Sequence, residues 1–272
     1  MGCVNLAQPY IFIQMKSKAI LLFFFGITTL TSFGQNTRIN DQNTIGWYNY
    51  FGTFKLDKKF SLHTEYQLRR SNFITDSQQE LLRLGINYQL NPKMQLRLGY
   101  AWIETHPYGD IPINSFGKDF TEHRSFQAIT LTDKISILDI SHRFMLEQRW
   151  VGKYSEANLS HEDAFPLLHR LRYMVRLQVP LKGNAIKNKT PYVAMYDEIF
   201  IGFGKNVNEN IFDQNRFGFL IGYKLNNTVR IEAGYLNQTL QLGREVSNRN
   251  VFQNNNGFII NTNFNFDLNP KK

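Results

Sequence analysis

The sequence predicts an all-β fold, a closed antiparallel up-and-down β-barrel that crosses an outer membrane, on three observations. Apolar and polar residues alternate along segment after segment beyond residue 43, which is the period of a β-strand with two different faces. These segments are long enough for the ~9–11 residues that a tilted strand needs to cross a bilayer, whereas strands of soluble sheets usually have ~5–6. Short turn-like connections also alternate with long polar ones, as in bacterial outer-membrane barrels.

The alternation is clearest at the end of the chain, in a segment whose two faces have different compositions. The apolar face carries Phe258, Ile260, Thr262, Phe264, Phe266 and Leu268, and the polar face carries Asn261, Asn263, Asn265 and Asp267. The same pattern predicts eleven strands at about 44–56, 60–70, 80–90, 94–105, 122–131, 135–150, 168–180, 190–204, 212–225, 228–240 and 256–268. Because bacterial single-chain barrels have even strand numbers, we expect twelve strands, the first a short one within 35–43, with ten strands as the alternative.

The connections fall into two classes. Short turns are predicted at 57–59, 91–93, 132–134 and 226–227, with a somewhat longer connection on the same side at 181–190. Long polar connections are predicted at 71–79, 106–121, 151–167 and 241–256. Outer-membrane barrels place the short turns in the periplasm and the long loops outside the cell, and we expect that arrangement here.

The beginning of the chain has the layout of a secretory signal. Lys16 and Lys18 precede a mostly apolar run at 19–30, and small residues lead up to Gln35. The run is too short for a transmembrane helix, which needs ~20 residues. We therefore expect a functional start at Met15, and two parts: an upstream extension with signal peptide at 1–34 and a single barrel domain at 35–272.

Composition excludes several classes of protein. The chain is 42% hydrophobic and 14% aromatic, which does not fit a disordered protein. Its formal charge is +9, or +7 once the two signal lysines are removed, but no run of five basic residues occurs, so we do not expect nucleic-acid binding. The only cysteine is Cys3, so the mature chain can have no disulfide and no cysteine-based metal or catalytic site.

Several short stretches carry a resemblance to a known family. They are HRFMLEQRW at 142–150, LRY at 171–173, YDEIF at 196–200, FDQNR at 212–216 and EAGY at 232–235. In this order they resemble an uncharacterised family of outer-membrane barrels catalogued as domain of unknown function 2490. The resemblance implies a barrel and no particular activity. The tail at 269–272 departs from barrels that end directly on an aromatic residue.

The polar faces of the predicted strands carry many charged residues, which would line the lumen. We expect a lumen charge network made of Glu65, Arg69, Arg83, Arg97, Glu122, Arg124, Arg143, Glu147, Arg149, Arg170, Arg172, Arg176, Arg216, Arg230 and Glu232, with Asp139 also on a polar face. Arginine binds carboxylates in a bidentate way, so one interpretation is a salt-bridged plug that fills a narrow lumen. The other is a positively lined passage that favours anions, since arginines outnumber acids.

Residues for catalysis or metal binding are scarce. His123 and Ser125 share a strand face about 7 Å apart but lack an evident third partner, and neither a G-x-S-x-G motif nor an HExxH motif occurs. His161, Glu162 and Asp163 could hold a cation, although a solvated loop is the simpler interpretation.

We therefore predict no catalytic residue, metal or cofactor, with outer-membrane lipid and the barrel-assembly machinery as partners. A lipid- or lipopolysaccharide-modifying enzyme and a soluble, lipocalin-like envelope binder remain the alternatives.

Overall fold

The computed structural model of the chain describes residues 38–207 and 210–268, and within them the fold is a closed β-barrel. Among these residues there is no helix long and apolar enough to cross a membrane. The described strands are β1 Ile39–Lys55, β2 Phe60–Ser71, β3 Asp76–Asn91, β4 Met94–Thr105, β5 Phe120–Ile135, β6 Leu138–Val151, β7 Leu167–Pro180, β8 Thr190–Phe203, β9 Phe212–Lys224, β10 Val229–Val246 and β11 Arg249–Asp267.

The ring of strands closes through a parallel seam. Each strand pairs antiparallel with the next one in the chain, and β1 pairs in parallel with β11, from Ile39 opposite Val251 to Lys55 opposite Asp267. An odd number of alternating strands leaves the first and the last running in the same direction, so they can close the ring only in parallel. Gly257 allows this seam, because a Cβ atom there would lie 1.7 Å from the carbonyl oxygen of Ile45.

The expected count of twelve strands is therefore corrected to eleven for the described part of the chain. Residues 39–43, expected to belong to a separate short strand, are the beginning of β1. They continue the β1–β11 ladder without interruption, since Asn43 lies opposite Asn255 and Ile45 opposite Gly257. The rest of that expected strand, together with the signal peptide and the start at Met15, lies outside the described residues.

Two of the four long loops expected from the sequence are also corrected. The connection expected at 71–79 has only residues 72–75, and the one expected at 241–256 shrinks to Ser247 and Asn248 between extended strands. Both residues of this second turn have positive φ angles, 52° and 57°, as in the tight turns that join antiparallel strands. Polar Gln and Asn side chains do not prevent strand formation, because the ladder is held by backbone hydrogen bonds.

The turn expected at 132–134 lies a few residues further along. β5 continues to Ile135, and Asp133 and Lys134 still pair with β6. The chain reverses instead at Ser136, whose φ angle is 56°. The long connections at 106–119 and 152–166 do form. They lie at one end of the barrel, here called the loop end, and the opposite end, which carries the turns after β1, β3, β5, β7 and β9, is called the turn end.

The two faces of the barrel wall differ in polarity. Large apolar side chains are exposed on the outer face, among them Leu84, Leu98 and Ile221, whereas charged side chains are buried inside. This distribution is the reverse of that in a water-soluble barrel with an apolar interior, and it argues against the lipocalin-like alternative. One part of the lumen is apolar, where Trp47, Tyr192, Ala194, Leu220, Leu236 and Ile259 pack together.

Candidate functional site

The lumen is the candidate site, because the structure places all fifteen residues of the expected lumen charge network on the inner face. Eleven of them form ion pairs, and four arginines do not, within the described residues. The alternation of strand side chains explains this placement, since residues two apart share a face. Nine charged residues form one connected set, which we call the central network: Glu122, Arg124, Arg143, Glu147, Arg149, Arg170, Arg172, Glu198 and Asp213.

Glu147, on β6, is the centre of this network. Its Oε2 accepts hydrogen bonds from Nε and Nη2 of Arg170 at 2.8 and 2.6 Å, and its Oε1 accepts one from Arg172 at 2.7 Å. Arg124 approaches the same carboxylate at 3.9 Å. The side chain is 0% exposed to solvent, so three arginines replace the water that the charge would otherwise bind.

Glu198 and Asp213 extend the network across β8 and β9. Arg172 and Arg143 both donate to Oε1 of Glu198 at 2.8 Å. Asp213 accepts from Arg170 at 2.7 Å and from Arg149 at 3.1 Å. Each of these acids therefore joins arginines of two strands, and Asp213 on β9 reaches Arg149 on β6, three strands away in the ring.

The sequence interpretation missed both acids, for two different reasons. Glu198 shares its inward face with Tyr196 and Phe200. Because both of these neighbours are aromatic, this face of the strand resembles an apolar, outward-facing one in the sequence. Asp213 lies in a β-bulge: Phe200 pairs with Gln214 and Ile201 with Phe212, so that Asp213 has no partner residue. In a bulge two successive residues can point to the same side, and strict alternation could have identified Glu198 but not Asp213.

The edge of the network on β5 and β6 is a two-arginine clamp. Nε and Nη2 of Arg124 donate to the two oxygens of Glu122 at 2.5 and 2.8 Å, and Nε and Nη2 of Arg149 donate to the same oxygens at 2.6 and 3.1 Å. Bidentate pairs of this kind fix side-chain orientation as well as charge. Because the clamp joins neighbouring strands, it also supports their register.

Two smaller clusters lie outside the central network. Glu65 accepts from Arg83 at 2.7 Å and contacts His63 at 3.1 Å. Glu232 pairs with Arg176 at 2.5 Å and accepts from the Tyr192 hydroxyl at 2.6 Å. Both carboxylates are buried, so the lumen is filled by polar contacts beyond the central set as well.

Four inner-face arginines, Arg69, Arg97, Arg216 and Arg230, have no ion pair among the described residues. Arg97 donates to Asn87 at 2.6 Å, and Arg216 donates to Gln214 at 3.0 Å. Arg69 donates to Gln67 at 3.0 Å and also to Gln79. These neutral amide partners satisfy hydrogen bonds without cancelling charge, so the lumen carries an excess of positive charge.

The lumen contains a cavity at each end. The loop-end cavity has a volume of about 320 Å³ and reaches Glu122, Arg149 and Asp213 of the central network. The turn-end cavity has a volume of about 230 Å³ and is lined by Asp139 and Arg230, among others. No described residue lines both cavities.

The connection at 106–119, here called the cap, covers the loop-end cavity. It leaves β4 and reaches the opposite wall, where Arg244 on β10 donates to the backbone carbonyls of Pro112 at 2.7 Å and Ile113 at 3.3 Å. The buried Tyr108 hydroxyl accepts from Asn255 on β11 at 3.1 Å. Burial raises the pKa of Tyr108, because the interior disfavours the phenolate.

The candidate catalytic pair does not form a catalytic arrangement. His123 and Ser125 face outward, and no hydrogen bond joins them in the described part of the chain. The Ser125 hydroxyl donates to Gln148 at 2.8 Å, and the Nδ1 atom of His123 lies 2.5 Å from the Tyr100 hydroxyl. A serine nucleophile needs a base within hydrogen-bond reach, and here each residue is engaged by a different neighbour.

The possible cation site at 161–163 is a set of loop contacts. Glu162 accepts from the Thr121 backbone amide at 2.6 Å, and Asp163 accepts from the Ser155 backbone amide at 2.8 Å. The hydrogen bonds from Ser155 lower the pKa of Asp163. Within the described residues no group of three or more His, Cys, Asp or Glu side chains is placed to hold a metal ion.

Residues 44–250 match the model of the family described as "Protein of unknown function (DUF2490)". The chain belongs to this family. The whole central network of this DUF2490 barrel, from Glu122 to Asp213, lies inside the matched region, as do ten of the eleven strands in whole or large part. The family resemblance expected from the sequence motifs is thereby confirmed.

Two further proteins are similar to this DUF2490 barrel. An uncharacterized protein of Methylorubrum extorquens is 28% identical over 177 residues, which are 64% of this chain and 69% of that protein. Among solved structures, a NanC porin aligns with 77% of this chain and 93% of its own, at 13% identity and a TM-score of 0.42.

Proposed function

We propose that this chain is an outer-membrane β-barrel whose lumen is closed by the central network, and that it serves the structure of the cell envelope with at most limited passage of small solutes. The observation that carries this proposal is the position of the network. Its buried ion pairs extend over β5 to β9 from the lining of the loop-end cavity, and none of its nine residues lines the turn-end cavity.

The outer face supports a position in lipid. Exposed side chains such as Leu84, Leu98 and Ile221 would be in contact with water if the barrel were soluble, and the contact of apolar surface with water is unfavourable. Trp102 and Trp150 are also exposed, close to the loop end of their strands, where outer-membrane barrels carry aromatic girdles. Outer-membrane lipid is therefore the proposed partner of this face. Export by the N-terminal signal and insertion by the barrel-assembly machinery would bring the chain there.

Closure follows from the cost of opening the network. A solute that passes between the two cavities would have to displace Glu147 or its arginines, each of which is held by charge-assisted hydrogen bonds. Separating a buried ion pair without new partners costs about 3–5 kcal/mol, and several pairs would have to separate together. Small anions would face a lower barrier than cations, because arginines outnumber acids in the lumen.

Conductance in planar lipid bilayers tests the proposed closure. We expect the purified wild-type barrel to give little or no conductance, and the variant Glu147→Ala to give larger or more frequent steps, because the centre of the network is removed. Glu156→Ala, at an exposed loop position, is the matched control. A large, steady conductance of the wild-type barrel would contradict closure.

Cell fractionation tests the proposed location separately. We expect the full-length chain, expressed in a Gram-negative host, in the outer-membrane fraction and soluble only in detergent. Recovery in the soluble periplasm without detergent would contradict the membrane barrel, whatever the conductance result.

A further inference from the structure

We propose that the loop-end cavity binds a small organic anion, a sugar that carries a carboxylate or a phosphate group. This inference goes beyond closure of the lumen, since a ligand can enter a cavity at the loop end of a barrel that does not conduct. The volume of about 320 Å³ is at the lower end of the ~300–1,000 Å³ that is usual for ligand pockets, so it suits a molecule of monosaccharide size.

Charge in the cavity is the first argument. Its lining includes six arginines, Arg69, Arg124, Arg149, Arg170, Arg216 and Arg244, and one lysine, Lys153, but only two acids. Those two acids, Glu122 and Asp213, are already paired with two arginines each. The cavity therefore has positive charge to spare, and low-dielectric walls strengthen its attraction for an anion.

Arg216 provides the most available group. Its Nε donates to Gln214 at 3.0 Å, and its two terminal nitrogens have no hydrogen-bond partner among the described residues. The guanidinium carbon lies 4.9 Å from the centre of the Trp47 ring and 4.6 Å from that of Phe200. These rings hold the guanidinium plane while its outer edge remains available, and that edge matches a carboxylate or phosphate in a bidentate way.

Arg69 completes a pair of cations on the same aromatic residue. Its guanidinium carbon lies 3.9 Å from the Trp47 ring centre, and the Trp47 ring is fixed by a 2.9 Å hydrogen bond from its Nε1 to Gln78. Two guanidiniums beside one indole repel each other, and an anion between or beside them would relieve that repulsion. The cavity is therefore arranged before any ligand enters, which lowers the cost of binding.

The neutral lining favours a hydroxyl-rich ligand over a bare ion. Side chains with both donors and acceptors surround the arginines, including Gln78, Gln79, Asn114, Ser115 and Gln238. Such groups can bind the hydroxyls of a sugar while the arginines bind its acidic group. The cap lies over this cavity and would have to move for a ligand to enter.

Fluorescence of Trp47 allows a direct binding measurement. The other two tryptophans, Trp102 and Trp150, face outward, so a barrel with Trp102→Phe and Trp150→Phe reports on Trp47 alone, whose ring contacts Arg69 and Arg216 of the cavity lining. The probes are glucuronate, glucose 6-phosphate and uncharged glucose, titrated at low ionic strength into the detergent-solubilised barrel. Arg216→Gln tests the site, and Arg97→Gln is the matched control, because Arg97 is also an inner-face arginine without an ion pair but does not line the cavity.

We expect at least one of the two anionic sugars to change Trp47 fluorescence saturably, and glucose to bind at least tenfold more weakly. Arg216→Gln should weaken the anion about tenfold or more, the effect of one charge-assisted contact, with Arg97→Gln close to wild type. A response to the carboxylate alone or to the phosphate alone identifies the acidic group. Equal response to glucose, no response at all, or an equal loss in both variants would overturn the proposal.

Arg69→Gln provides a second variant if Arg216→Gln does not fold, with circular dichroism of each variant as the check. Addition of salt should weaken the binding of the anionic sugars, because it screens the arginines. Binding that is indifferent to salt would count against the site. A barrel that binds the anionic sugar but conducts freely would refute closure and leave this inference standing.

Discussion

Substitution of the central carboxylate, Glu147→Ala, gives the sharpest test of the lumen. The variant removes three hydrogen bonds of 2.6–2.8 Å and leaves Arg124, Arg170 and Arg172 without their shared partner. Breaking a buried ion pair from one side usually costs about 3–5 kcal/mol, because the remaining charge is uncompensated. Here each arginine keeps one acid, Glu122, Asp213 or Glu198. We therefore expect about 3 kcal/mol, the lower end of that range.

The assay is reversible unfolding by guanidinium in lipid vesicles, followed by tryptophan fluorescence. At an unchanged denaturant slope, the midpoint shift gives the loss in the free energy of unfolding. Glu147→Gln keeps an oxygen acceptor and should lose less than Glu147→Ala. The exposed control Glu156→Ala should stay within about 0.5 kcal/mol of wild type. A double-mutant cycle with Arg172→Met should show coupling of about 0.5–3 kcal/mol, since the two residues are in contact.

A loss below about 1 kcal/mol for Glu147→Ala, with the control unchanged, would refute this reasoning. It would mean that water hydrates the arginines in the middle of the lumen, as in an open channel, and closure by the network would then be wrong.

Three further predictions concern the seam and the cap. Asn49→Cys combined with Asn261→Cys should form a disulfide across the seam, because these residues are directly opposite each other, whereas Asn49→Cys with Asn265→Cys should not; non-reducing gels distinguish the two. Arg244→Ala removes the donor to two backbone carbonyls of the cap, so it should release the cap and speed proteolysis within 106–119, and an unchanged rate would contradict this role of Arg244. Burial raises the pKa of Tyr108, so the stability that its neutral hydroxyl contributes is complete below the ordinary tyrosine pKa near 10. This stability is lost as the pH rises through the pKa of Tyr108 in the folded protein. Cap proteolysis should therefore accelerate at strongly alkaline pH in the wild type, and less so in Tyr108→Phe.

The two faces of the wall could be predicted from the sequence because strand periodicity is two. Once a segment is a strand, its register with respect to inside and outside is fixed, since a shift of one residue would turn every apolar side chain inward. That is why Arg83, Glu147 and Arg172 could be placed in the lumen without coordinates. Their partners could not be assigned in the same way, because the choice among neighbouring acids depends on strand stagger around the ring.

The alternation of apolar and polar residues could not predict the features that interrupt this pattern. Asp213 reaches the lumen through a bulge opposite Phe200 and Ile201, and no periodic rule predicts where the extra residue lies. The long hairpin formed by the end of β10 and the start of β11 was not predicted, for a related reason. Its Gln- and Asn-rich strands do not carry the apolar stripe that lipid contact would require, so its sequence resembles a loop. The strand count was misjudged because even numbers were assumed, while the ring closes in parallel.

The polar interior has a consequence for how such a barrel specifies its own structure. Lipid tails solvate the outer stripe of any barrel equally well, so apolar contact with lipid cannot select one interior arrangement over another. Selection must come from the lumen, where Glu147 and Asp213 each bind arginines of neighbouring or distant strands. The central network has fewer acids than arginines. It can still fix this arrangement, because each of its buried carboxylates pairs with two or more arginines. Of the four inner-face arginines without an ion pair among the described residues, Arg69 and Arg216 line the loop-end cavity and Arg230 lines the turn-end cavity. The shortage of acids in the lumen therefore leaves positive charge beside each cavity, which makes both ends attractive to anions.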